Sequence, residues 1–339
     1  MLTPPGGLSA EMLESALITH WAVTAADIRY LALGFGSHHW EITGADGCRW
    51  FATADELAMK RWTRAEPLDS VRARLRASLA VAADLAGLGL QFVVAPVPAA
   101  GGEPLIGLGR DFSLVLYPFL AGQSFEWGPF SSEAHRRAVL DLVVAVHTAP
   151  AAASRRAMAD DLSIQFRDEL DAGLGDAGFA PANGPYAKAA GELIATSARL
   201  IRRLLDRYDN LAAHVRAAPD AMVVTHGEPH PGNTMLACDG WLLIDWDTAL
   251  VAPPERDLCN LDPGDGSVLA AYEAATGVTP RQAVLDLYRL RWDLTDIAIA
   301  VSTFRAPHGD DADNRQTFDL LARLLARLAS RPRSWPGMS

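Results

Sequence analysis

Apolar residues recur every three to four positions over residues 8–22, where Leu8, Met12, Leu13, Ala16, Leu17 and Trp21 share a face. With Ser9 as N-cap and Glu11 in the first turn, this spacing predicts a helix. The pattern then shortens. Segments at 28–34, 38–43 and 49–54, divided by Gly-rich or polar turns, predict strands. A helix over 68–86 and strands near 92–96 and 113–117 complete a small antiparallel α+β unit. Tyr117-Pro118-Phe119-Leu120-Ala121-Gly122 halts the last strand. From Ser131 onward helical spacing dominates, over 132–148, 161–174, 185–218, 266–276, 280–305 and 312–330. Only 222–247 interrupts it: apolar segments 234–237 and 241–244 flank an Asp239-Gly240 turn signal and predict a hairpin. The tail from Arg331, with two prolines, predicts an irregular end.

The expected fold class is therefore α+β and two-lobed: a β-rich N-lobe over 1–118, and a mainly helical C-lobe over 119–339 with a hairpin set into it. A cleft between two lobes is a favoured place for a small ligand. The chain's 339 residues suffice for two such units.

Composition narrows the partners. A net charge of −11 argues against nucleic acid and anionic membrane surfaces, and suits a cationic small molecule. The most apolar stretch, 79–100, is broken by Asp84, Gly87, Gly89, Pro96 and Pro98, so it predicts no membrane span. No secretory leader pattern is visible, and Cys48, Cys238 and Cys259 form no framework. These features predict a cytoplasmic protein, as a monomer or homodimer. Lysine is nearly absent, with Lys60 and Lys188 against 28 arginines.

The chemistry concentrates in 223–247. His226-x-Glu228 is followed by Asn233, and Asp245 stands twelve residues beyond Asn233. The layout of loop, strand, turn, strand and acid sets an amide oxygen and a carboxylate at neighbouring strand ends. Such sparse, hard oxygen ligands suit a divalent cation that also binds triphosphate.

Five segments in order carry a resemblance. They are Gly34-Phe-Gly-Ser-His-His-Trp40, Tyr117-Pro-Phe119, His226-Gly-Glu-Pro-His-Pro-Gly-Asn233, Ile244-Asp-Trp-Asp247 and Ala252-Pro-Pro-Glu-Arg-Asp-Leu258. Together they resemble the aminoglycoside phosphotransferase family, which has a protein-kinase-like fold, with the spectinomycin phosphotransferase type the most similar branch. The resemblance spans roughly 8–330. It implies transfer of the γ-phosphoryl group of ATP or GTP to a hydroxyl of a small molecule, such as an aminocyclitol antibiotic. It further implies that Glu228 orients the acceptor hydroxyl, that Asn233 and Asp245 hold Mg²⁺, and that Gly34, Gly36, Ser37 and His38 cover the phosphates. Tyr117 and Phe119 would meet the purine. His226 and His230 read as supports of the loop, and Glu255-Arg256-Asp257 as an internal ion pair. Asp247, Asp293 and Asp296 are the candidates for gripping a cationic acceptor, the last two one helical turn apart beside Trp292.

Two departures from the family pattern stand out. Glu228 occupies a position where Asp is usual. The third strand, Arg49-Trp-Phe-Ala-Thr-Ala-Asp55, has Thr53 where the family's phosphate-binding lysine falls, and the following helix holds no glutamate to pair with one. Arg76 is the expected replacement, with Arg72 and Lys60 as alternatives, because a guanidinium binds phosphate well. If none replaces it, the protein would bind its ligand without transferring a phosphoryl group.

Overall fold

The structure is a computed structural model and describes residues 1–175, 178–217 and 221–330. Its first helix, α1 (Ala10–Trp21), starts where the Ser9 hydroxyl accepts the Met12 N–H. It is followed by β1 (Ala25–Leu31), β2 (His38–Gly44), β3 (Arg49–Glu56), α2 (Leu68–Gly87), β4 (Ile106–Leu108) and β5 (Phe112–Pro118). The five strands form one antiparallel sheet in the order β1-β2-β3-β5-β4. The expected strand near 92–96 is not part of it: Val93 makes only an isolated bridge to Leu243. The fifth strand is β4, too short for alternation to announce it.

Strand alternation gives this sheet two distinct faces. Trp40, Ile42, Ala52, Ala54, Leu114 and Leu116 form a core with Leu13, Ala16 and Leu17 of α1. On the other face Val115 packs with Val71, Leu75 and Leu79 of α2, with Tyr117 partly buried against them. His39, Phe51, Thr53 and Asp55 share that second face, by register, toward the cleft.

Beyond β5 come β6 (Gly122–Ser124), α3 (Glu133–His147), α4 (Arg167–Leu174), α5 (Ala187–Ala217), β7 (Val223–Thr225), β8 (Thr234–Ala237), β9 (Gly240–Leu243), β10 (Leu250–Ala252), α6 (Glu255–Leu261), α7 (Ser267–Thr276), α8 (Gln282–Phe304) and α9 (Ala312–Ser330). The predicted hairpin is β8–β9, and β6 adds a third strand to it. The largest core gathers α4, α5, α8 and α9. Helix α4 begins later than its periodicity suggests, because Leu162 and Phe166 take left-handed backbone (φ 62° and 55°). The Leu162 carbonyl accepts the buried Tyr208 hydroxyl, fixing this irregular entry. Helix α6 had no forecast: seven residues behind Pro253-Pro254 are too few to display a period. Among the described residues no helix is long and apolar enough to cross a membrane. The tail 331–339 lies outside the described residues.

Candidate active site

The loop from His226 to Asn233 is held from below by Asp257 of α6. One Asp257 oxygen accepts the His226 N–H at 2.9 Å and the other accepts the Gly227 N–H at 2.6 Å. His147 Nε2 meets the same carboxylate at 3.0 Å, and its Nδ1 lies 3.0 Å from the Tyr272 hydroxyl. Burial alone would raise the Asp257 pKa, but these partners hold it below the ordinary carboxylate value. Gly227 adopts φ +103°, and a Cβ there would lie 2.5 Å from the Arg256 guanidinium, so only glycine fits. Arg256 itself donates to the Thr225 hydroxyl and the Thr248 carbonyl. The expected ion pair inside 255–257 is absent. Glu255 faces Arg281, Arg256 faces Asp160, and Asp257 serves the loop.

His226 is fully buried. Its Nε2 lies 2.8 Å from the Ile244 carbonyl, and its Nδ1 accepts the Glu228 N–H at 3.2 Å, which assigns the Nε2–H tautomer. The ring thus ties the loop to the strand end that carries Asp245. Asn233 is buried; its amide nitrogen donates to the Glu228 carbonyl at 3.0 Å, leaving its oxygen for another partner.

Four carboxylates face one another across the cleft. Asp245 has left-handed backbone (φ 65°), is exposed, and makes no hydrogen bond or ion pair among the described residues. Crowding by the protein around the carboxyl, then Asp247, Glu228 and Asp55, push its pKa well above the carboxylate range, while Lys60 pulls the other way. Glu228 is pushed up to about 7, by burial first and then by Asp247. Its side chain keeps 38% of its surface open at the cleft mouth, with the His230 Nε2 at 3.8 Å. Asn233, Asp245 and Asp247 thus offer hard oxygen donors whose mutual repulsion an added cation would relieve, a set that fits Mg²⁺. Among the described residues no three His, Cys, Asp or Glu groups form a metal cage on their own.

The one lysine in the cleft is Lys60. Its ammonium lies 2.7 Å from Asp247 and 3.3 Å from Asp55. A Cβ on Gly36 would sit 3.8 Å from it, which places the charge beneath the glycine loop. Burial disfavours its charge, but Asp247, Asp55 and Asp245 outweigh that and hold its pKa well above normal. Arg76 is elsewhere, on Glu103 at 2.7 Å, and Arg72 is on Asp69 and the Arg110 carbonyl. Of the three cations considered for the phosphates, Lys60, in the turn after β3, is the one that lies beneath the glycine loop. Lys60 is the alternative to Arg76 named above, in a chain with only one other lysine.

The glycine loop has φ +65° at Gly34 and +85° at Gly36, backbone that favours glycine. The Ser37 hydroxyl is buried and donates to Asp55 at 2.7 Å, so it braces the loop from inside. His38 lies on the Trp40 face of β2, with Nδ1 at 3.2 Å from the Tyr30 hydroxyl and its pKa lowered to about 4, chiefly by burial. His39 is the histidine on the cleft face. It lies 3.2 Å from the Thr53 hydroxyl and stacks on Phe51. At the lobe junction the Phe119 N–H donates to the Arg49 carbonyl, and the Arg49 guanidinium covers the Phe119 ring at 3.6 Å. Tyr117 belongs to the cleft field: burial, then Asp245 and Asp247, raise its pKa.

On α8, Asp293 is buried and bonded to Arg327 of α9 at 2.6 Å. Asp296 is the member of the pair that belongs to the cleft. Its pKa is pushed up to about 7 by burial, Asp293 and Glu228.

A β-sheet lobe with a glycine loop, set over a helical lobe that presents His226, Glu228, Asn233 and Asp245, is the architecture of a kinase-like phosphotransferase. Residues 27–299 match the family described as "Phosphotransferase enzyme family", and the chain belongs to it. It is 30% identical over 249 residues to Protein StrN of Streptomyces griseus, covering 70% of this chain and 72% of that one. Among solved structures it is similar to spectinomycin phosphotransferase APH(9)-Ia in complex with ADP and spectinomycin. That match has a TM-score of 0.70 at 16% identity and covers 95% of this chain and 98% of the other. A macrolide 2'-phosphotransferase type I matches with a TM-score of 0.57 at 18% identity, over 98% and 100% of the two chains.

Proposed function

We propose that this phosphotransferase moves the γ-phosphoryl group of ATP or GTP to a hydroxyl of a small, hydroxylated, cationic molecule of the aminoglycoside or aminocyclitol type. The observation that carries this reading is the convergence of Glu228, Asn233, Asp245 and Asp247 with the Lys60 ammonium below the Gly34–Gly36 loop. The bound nucleotides and antibiotics of the structural relatives support the two ligand classes. The reducing cytoplasm suits three cysteines that are all free.

Phosphoryl transfer asks the protein chiefly for positioning and charge. Glu228, with its pKa near 7, accepts a hydrogen bond from the acceptor hydroxyl and takes its proton as the oxygen attacks phosphorus. Asn233 and Asp245 would hold Mg²⁺, which supplies neutralisation of the phosphate oxygens. Lys60 faces the phosphates in the role of the missing β3 lysine. Tyr117 and Phe119 flank the purine, and Asp296, beside Glu228, receives an ammonium of the acceptor. The test is nucleoside diphosphate release from MgATP and MgGTP across aminoglycosides and spectinomycin-like aminocyclitols, with Asp245→Asn as control. Turnover that the control lacks supports the reading. No turnover with any acceptor, together with no thermal shift by Mg²⁺–nucleotide, would overturn it.

A further inference from the structure

Lys60 reaches the cleft from a loop, residues 57–66, between β3 and α2. A lysine on a loop is a mobile charge on a flexible stem, and a displacement of about 1 Å at a reacting centre can cost about a hundredfold in rate. Helix α2 has no glutamate to steady it. The loop is fastened by other means, on both sides.

On the N-lobe side, Arg74 of α2 donates to the Lys60 carbonyl at 2.6 Å and pairs with Glu66. Glu66 in turn accepts the Trp62 N–H at 2.6 Å. On the C-lobe side there are three attachments. The Gln165 side chain donates to the Met59 carbonyl at 3.0 Å, and the Phe166 N–H donates to the Trp62 carbonyl at 2.6 Å. Arg64 grips Glu169 of α4 with two nitrogens, at 2.6 and 3.2 Å, and also reaches the Ser302 carbonyl of α8. Glu169 is buried and is paired from behind by Arg305, so its carboxylate is a fixed point. Two-nitrogen pairing of guanidinium with carboxylate fixes direction as well as distance.

We propose that the β3–α2 loop is an inter-lobe clamp, in which Arg64 on Glu169 acts as a positioning pair that sets Lys60 against the nucleotide phosphates. This rests on the functional reading above. In that arrangement the C-lobe, through α4, does what a helix glutamate does for a lysine carried on the third strand. The lysine's position is then referenced to the same lobe that carries Asn233 and Asp245.

A double-mutant cycle tests it, read as the Kd of MgATP and MgGTP by titration calorimetry. Lys60→Met should weaken binding about tenfold, and Arg64→Ala about three- to fivefold. In the Lys60→Met background Arg64→Ala should have almost no further effect, because there is no charge left to position. Arg64→Ala leaves the Glu169–Arg305 pair within the C-lobe, and Arg64→Lys, a point charge, should restore part of the loss. Equal factors in both backgrounds would make Arg64 a general structural residue and overturn the clamp alone. An unchanged Kd for Arg64→Ala in the otherwise native chain would do the same. Unchanged binding by Lys60→Met would remove Lys60 from the phosphates and the clamp with it. A native chain that binds neither nucleotide overturns the functional reading itself.

Discussion

The Lys60 ammonium lies 2.7 Å from the Asp247 carboxylate, joining a loop of the N-lobe to the turn between β9 and β10 of the C-lobe. A monovalent cation thus already sits among acids that suit a divalent one. Lys60→Met should therefore tighten binding of Mg²⁺ alone, by several fold, while weakening binding of the Mg²⁺–nucleotide complex. Calorimetric titration with MgCl₂ in the absence of nucleotide reads the first effect; weaker Mg²⁺ binding by the variant would show that Lys60 does not compete there.

Asp245→Asn should separate stability from activity. The Asp245 carboxyl ionises against crowding by the protein around it and the charges of Asp247, Glu228 and Asp55, with no hydrogen bond of its own among the described residues to compensate. Its raised pKa means that the ionised form weakens the fold. The amide should raise the melting temperature at pH 8, by an amount that solvent screening of this exposed carboxyl keeps small, and abolish phosphoryl transfer. A lower melting temperature would contradict the repulsion.

Glu228 titrates near neutrality, and the sign of its pH dependence follows. With a folded pKa of about 7 against an ordinary 4.5, the native state holds the proton that the unfolded chain releases. Stability from this group falls as pH rises between those values and is level above them. Activity runs the other way: kcat/KM should climb with an apparent pKa near 7, and Glu228→Gln should lower kcat at least about tenfold. Because Lys60 is among the groups that hold the Glu228 pKa down, Lys60→Met should move the climb to higher pH. A profile flat from pH 6 to 8 in the native chain would take Glu228 out of proton transfer.

Asp257 is the residue whose loss should do most damage from outside the cleft. Asparagine presents one acceptor where two backbone N–H groups and His147 now converge. Hydrogen bonds to a buried charge suggest a cost of about 2–3 kcal/mol, seen as a lower denaturation midpoint. The depressed pKa of Asp257 contributes stability above the unfolded value of 3.8, lost as pH falls through the folded one. The variant should lack that acid limb. A denaturation midpoint equal to the native one would show that the loop does not rest on Asp257.

The fold class, the hairpin and the cluster at 226–247 were legible because each has a local signature: a period, a turn dipeptide, a motif. What escaped had none. Strand β4 and helix α6 are too short for a period. Residue alternation already separates His39 from His38, yet which of the two faces the cleft depends on where α1 packs. Arg76 is placed on helix α2 as expected, but its partner Glu103 lies beyond the helix, and nothing local distinguishes it from Arg74, the arginine that faces the Lys60 turn. Lys60 was legible as an alternative to Arg76, being the one lysine near the third strand, but nothing local ranked it first. Its reach of 187 residues along the chain to Asp247 is a property of the closed fold.

That scarcity of lysine has a practical side. The chain's two amino side chains differ in surroundings: Lys188 is 77% exposed on α5, while Lys60 is enclosed between Asp55 and Asp247. An amine-directed acyl phosphate of a nucleotide would have a single side-chain target in the cleft. One tryptic map, taken with and without competing nucleotide, would then report occupancy of the site before any acceptor is known.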